Sequence, residues 1–191
     1  MIRRSRCTSA LSSLVMLVVG LVLASPQTQA QVVKPFKVTG AGTADYVPVV
    51  PFVPVFHDAT GEATELGHYS GAGEVQLLGF TGPTTADFDS AVPFVFVAGN
   101  GDELAFTYGD TTNGVAEPGQ VTLFPIPGGL FVAVWVAEFN PVPELCTGRF
   151  AKVIGGSFIM VAVTEPFVLG AFDPVGYSWS GEGSLTFANG H

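Results

Sequence analysis

The chain is poor in basic residues. Seven Lys and Arg stand against 16 Asp and Glu in 191 residues, a formal charge of −9. Neutralising phosphates needs clustered Lys and Arg, so this balance argues against a nucleic-acid partner. Charged residues make up only 12% and hydrophobic residues 48%, which excludes a disordered polyampholyte. No stretch carries a sustained helical period with caps, so no helix is expected for a phosphate-binding loop to open. What is abundant is 24 Gly, 14 Pro and 16 Phe, a composition of many turns around an aromatic-rich β core. The length suits one domain with extensions.

The N-terminus reads as an address. Arg3, Arg4 and Arg6 form a cationic start, and Leu11 to Ala24 is an apolar stretch of signal-peptide length, short for a bilayer span. Cleavage is expected after Ala30 rather than after Ala24, because Pro26 and Gln27 loosen the chain before it. An uncleaved anchor is the alternative. No Cys directly follows the apolar run, which argues against a lipoprotein anchor. Residues 1–30 are therefore expected to be a signal peptide, and the protein secreted, periplasmic or at the cell surface, with no membrane span in the mature chain. Their removal leaves Lys34, Lys37, Arg149 and Lys152 against all sixteen acids, a formal −12. Of Cys7 and Cys146 only Cys146 remains, so no intrachain disulfide can form. That thiol is either buried and inert or pairs between chains; free Cys commonly packs as a small hydrophobe.

The mature chain alternates short apolar runs with Gly, Pro, Asn and Asp clusters, an all-β pattern. Strands are expected at Ala63–Ser70, Glu74–Phe80, Pro93–Ala98, Glu103–Tyr108, Val121–Ile126, Leu130–Phe139, Ser157–Thr164 and Tyr177–Phe187, with a further one at 35–42. Val47 to Val55 carries Pro48, Pro51 and Pro54, which suit an extended lead-in and not a central strand. The domain layout is then a Pro-rich arm over 31–60 and a β domain over 61–189. Eight strands joined by short turns suit a closed antiparallel barrel or a sandwich, and closure would remove edges. Asn100-Gly101 predicts a type I′ hairpin in which Val97 faces Leu104, Val95 faces Phe106, Phe96 faces Ala105 and Phe94 faces Thr107. A second hairpin is expected at Pro127-Gly128-Gly129.

Two strands are apolar on both faces. Leu130, Val132, Val134 and Val136 oppose Phe131, Ala133, Trp135, Ala137 and Phe139; Ile159, Val161 and Val163 oppose Phe158, Met160 and Ala162. Such strands need cover on both sides. One side is the core; the other calls for a neighbouring subunit, or failing that the Pro-rich arm. A membrane barrel would need a polar lumen face, which these strands lack.

Three blocks carry a resemblance. Thr147-Gly148-Arg149-Phe150 through Gly155-Gly156-Ser157-Phe158 is similar to the GTGRFxxAxGxF signature of allene oxide cyclase and dirigent proteins and of exported bacterial relatives. Gly99-Asn100-Gly101-Asp102-Glu103-Leu104 resembles that family's G-x-GD hairpin, and Ala63 to Gly71 its ATHLG strand. The chain departs from the signature at Cys146, Glu65 and Val153, and Phe158 falls one place late. The resemblance implies a calycin-like, closed eight-stranded antiparallel barrel with an apolar cavity, commonly a trimer. It implies acidic, Arg and Tyr side chains at the cavity; by motif position only Asp102 and Arg149 carry over.

Each candidate has a plainer reading. Arg149 suits an anionic head group or a developing oxyanion, or else pairs with Asp102, Glu144 or a carbonyl and holds a bend. Asp102 is a general acid or base if desolvated, or else completes the Asn-Gly turn. Tyr108 and Tyr69 line a pocket, or are strand residues with a wet hydroxyl. His57, His68 and His191 match no metal-ligand spacing and are expected to be solvated; no metal or cofactor is implied. Ser178 and Ser180 lack a nucleophile-elbow setting. The leading expectation is thus an exported, non-enzymatic barrel that binds an apolar small molecule or acts as an assembly module, forming a homo-oligomer (trimer or dimer). The alternatives are an isomerase or cyclase using Asp102 and Arg149, and a structural, self-associating surface protein.

Overall fold

The computed structural model describes residues 31–109 and 118–188. The expected leader 1–30, with Cys7, and His191 lie outside the described residues. Nine strands follow in order: β1 (Gln31–Ala44), β2 (Val55–Ala63), β3 (Gly67–Phe80), β4 (Thr85–Ala98), β5 (Glu103–Tyr108), β6 (Gly119–Ile126), β7 (Leu130–Pro141), β8 (Val153–Thr164) and β9 (Val175–Ala188). Two short 3₁₀ turns, Pro143–Leu145 and Gly148–Lys152, lie between β7 and β8, and there is no α-helix among the described residues.

All strands join one antiparallel sheet. Pairing runs β1–β2–β3–β4–β5–β7–β8–β9 and returns to β1, a ring of eight strands. β6 shares the β5 position. β5 pairs with Phe94–Val97 of β4 and reaches β7 at Phe139–Pro141, whereas β6 pairs with Thr85–Phe88 and with Leu130–Val136. Neighbouring β7 and β8 match Val134 with Val163 through Phe139 with Phe158, as their shared pattern predicts.

The inside is aromatic because every strand sends alternate residues inward. Phe36, Phe88, Phe94, Phe96, Phe106, Phe139 and Phe158 are all fully buried. Phe96 stacks on Trp179 at 5.6 Å between centroids, and Tyr108 on Phe139 at 4.7 Å. Burying each such ring contributes about 2–3 kcal/mol, so this column is the main store of stability.

Several sequence-based boundaries move. The Pro-rich stretch is confined to 45–54, and 31–44 and 55–63 on either side of it are strands of the ring. That stretch lies at one end, where Pro51 bridges Leu77 and Phe52 N–H bonds Leu77 C=O, so it does not cover the outer face of β7 and β8. Ala63–Ser70 is a hairpin and not one strand: Leu66 N–H turns back to Ala63 and Thr64, and Glu65 and Gly67 take positive φ. β4 starts at Thr85, well before Pro93, because Ala86 and Phe88 point inward between Asp87 and Asp89, whose charges mask the strand.

The β4–β5 register is one residue from the expected one. Phe94 faces Phe106, Val95 faces Ala105, Phe96 faces Leu104 and Val97 faces Glu103. The loop has three residues, Gly99 to Gly101, closed by Ala98 N–H to Asp102 C=O, with Gly101 at φ 86°. A three-residue loop with Gly in the left-handed position is the next most favoured hairpin. A single-residue slip changes which side chains share a face; here it puts Phe94, Phe96, Leu104 and Phe106 together inside. A bulge between Val153 and Gly155 does similar work in β8: Val153 and Phe158, an odd number of residues apart, both point inward.

Candidate functional site

The ring has two unlike ends. At one end the three family-like blocks meet. The Asp102 carboxylate accepts Asn100 Nδ2 at 2.9 Å and Arg149 N–H at 3.3 Å, and Arg149 Nε lies 3.5 Å away. Arg149 also donates to Leu66 C=O at 3.3 Å, and Thr147 and Glu103 exchange two hydrogen bonds. Gly148 has φ 55°, and a side chain there would run into the Asp102 carboxylate. The Asn100 hydrogen bond, then the Arg149 amide, hold the Asp102 carboxyl below its ordinary range. This is a buckle that ties three loops together. Arg149 is half exposed and Asp102 sits at the surface, and their contacts here are those of a bend and a turn.

At the opposite end lies a cavity of about 70 Å³. The strand termini Ala44, Thr164 and Val175 rim it, Tyr46, Val47 and Pro48 lie along it, and Phe88, Trp135, Phe139, Met160, Ala162 and Trp179 form its apolar wall. No Lys or Arg is among its lining residues, and neither Asp102 nor Arg149 is. The isomerase reading needs those two beside a substrate, and they are at the far end from the cavity. Of the expected pocket residues Tyr108 lines it; Tyr69 instead packs deeper, donating to Thr39 C=O at 3.1 Å and accepting Trp179 Nε1–H at 2.9 Å. Burial pushes the Tyr69 phenol up to about 12, against the lowering effect of the Trp179 bond.

The polar part of the wall is a chain of three rings that sequence reasoning missed. His57 Nε2 lies 2.7 Å from Tyr108 Oη, and His57 Nδ1 lies 3.0 Å from Tyr177 Oη. Tyr177 donates its proton to Asp58 C=O at 2.7 Å. A phenol has one proton, so Tyr177 must accept from His57, which places the imidazole proton on Nδ1. Nε2 is then an acceptor and Tyr108 donates to it. The order is Tyr108 O–H to His57, His57 N–H to Tyr177, Tyr177 O–H to the backbone.

Electrostatics agrees with a neutral chain. Burial lowers the His57 pKa to about 4, although Asp58 pulls the other way. Burial likewise raises the Tyr108 and Tyr177 phenols, with smaller contributions from nearby acidic groups. His57 stacks on Phe94 at 5.2 Å, not in solvent as expected from its loop-like setting. Its signal was the alternation Val55, His57, Ala59, three residues on one inward face, obscured by the prolines before it.

His68 is exposed, 3.4 Å from Glu62. Cys146 is buried and donates to Val142 C=O, and burial raises its pKa. Among the described residues no three His, Cys, Asp or Glu side chains come together as metal ligands. No known protein family, curated protein or solved structure matches this chain.

Proposed function

We propose that this is an exported, closed eight-stranded barrel of the allene oxide cyclase/dirigent-like kind that holds a small, uncharged, largely apolar molecule in its end cavity. The cavity carries this reading: its wall is largely apolar and suits an apolar guest, and about 70 Å³ is several times the ~10–15 Å³ one water occupies. The volume is also well below the ~300 Å³ at the lower end of drug-sized pockets, which argues against a lipid or a large substrate. An anion would find no countercharge there and would have to shed its hydration uncompensated. Export is supported by the leader-like sequence of residues 1–30, a cationic start followed by an apolar stretch.

The test uses the chain's two tryptophans, Trp135 and Trp179, which both line the cavity. Adding a small hydrocarbon such as cyclopentane should shift both indole N–H resonances saturably. Ala162→Phe, which fills the cavity, should abolish the shifts. Resonances that never move, or that move equally in the filled variant, overturn the reading.

Assembly into homo-oligomers is the second reading. It is favoured by the outer face of β7 and β8, where Val136, Ile159, Val161 and Val163 are 39–51% exposed. An apolar patch of this kind commonly marks an interface.

A further inference from the structure

The hydrogen bonds of the ring chain specify which polar group the guest carries. This inference rests on the cavity being a ligand site. Along Tyr108–His57–Tyr177 every proton is committed: Tyr108 to His57 Nε2, His57 Nδ1–H to Tyr177, and Tyr177 to Asp58 C=O. Reversing the chain would turn the Tyr177 proton to His57 and cost the Asp58 carbonyl its hydrogen bond. What remains open is acceptor capacity on Tyr108 Oη, since a phenol oxygen that donates once still accepts. A guest bearing only an acceptor, such as a ketone or ether, gains nothing from this chain. A guest bearing an O–H satisfies it. Trp135 lines the same cavity. Phe88 brings the two groups to one part of the wall, its ring 4.8 Å from Trp135 and 6.2 Å from Tyr108.

We propose that the cavity selects a small aliphatic alcohol over the ketone of the same shape, with Tyr108 Oη accepting the alcohol proton. Among the described residues the lining holds no Lys or Arg, so the corresponding carboxylate would be buried there without a countercharge.

The test compares cyclopentanol, cyclopentanone and cyclopentane on the purified protein, each titrated against the Trp135 and Trp179 indole N–H resonances. One neutral hydrogen bond predicts that the alcohol binds roughly 3- to 10-fold more tightly than the ketone. In Tyr108→Phe that ratio should collapse towards one while cyclopentane still binds. Equal affinities, or a preference for the ketone in the unmodified protein, overturn the selection by Tyr108 and leave the apolar cavity standing. Binding of none of the three overturns the cavity as a ligand site as well. The comparison in the unmodified protein decides the matter even if Tyr108→Phe does not fold.

Discussion

Acidification should weaken the fold through one residue. His57 is held neutral, with a pKa lowered from 6.5 to about 4 by burial. In the unfolded chain it returns to its ordinary value, so between these limits the unfolded state binds more protons and stability falls as pH drops. The contribution is complete above pH 6.5, is lost progressively down to pH 4, and is flat below. Two and a half pKa units correspond to about 3 kcal/mol in full, of which about 2 kcal/mol is lost between pH 7 and pH 5. Most carboxylates are still ionised at pH 5, so the window isolates the histidine. The assay is urea unfolding at pH 7, 6 and 5, on the unmodified protein and on His57→Phe. With a slope of about 2 kcal/mol/M, the urea midpoint of the unmodified protein should fall by about 1 M. His57→Phe removes the titrating group, so it should start less stable, with the Tyr108 hydroxyl left without its acceptor, and show a much flatter pH profile. Parallel loss of stability in both proteins, or a His57 resonance titrating near pH 6.5 in the folded state, would refute the buried neutral imidazole.

The buckle end gives two contrasting expectations. Gly148→Ala forces a left-handed conformation on a side chain that meets the Asp102 carboxylate, so it should cost about 2 kcal/mol and lower Tm by about 4–8 °C; an unchanged Tm would show that the turn yields freely. Arg149→Ala removes a long, half-exposed contact to Asp102, so it should cost at most about 1 kcal/mol and leave cavity binding unaltered; loss of ligand binding would return Arg149 to the site. On the outer face, Val161→Lys should convert an oligomer to monomers by light scattering with the fold intact. An unmodified protein that is monomeric at high concentration sinks the assembly reading.

The local features that sequence could carry were those with short-range causes. Short apolar runs between turn residues marked β7 and β8 as strands in need of cover on both faces, and Gly128 and Gly129, both at positive φ, form the turn expected at Pro127-Gly128-Gly129. The inward polar ring was hidden for the opposite reason. His57, Tyr108 and Tyr177 lie far apart in the chain, and each alone looks like an ordinary polar strand residue. Asp102 and Arg149 stood out by their positions in the blocks that carry the resemblance, yet a motif specifies a turn as readily as a site.

From its order of residues alone, this protein was bound to be all-β, acidic and aromatic at heart, because alternation, turn residues and net charge act over a few positions. Only the ring closure of β1 on β9, and the meeting of β2, β5 and β9, decided where a neutral imidazole would stand and which end would stay hollow. Register is the physical reason: one residue more in the loop before β5 turns the other face of that strand towards the interior, and no local preference measures that consequence.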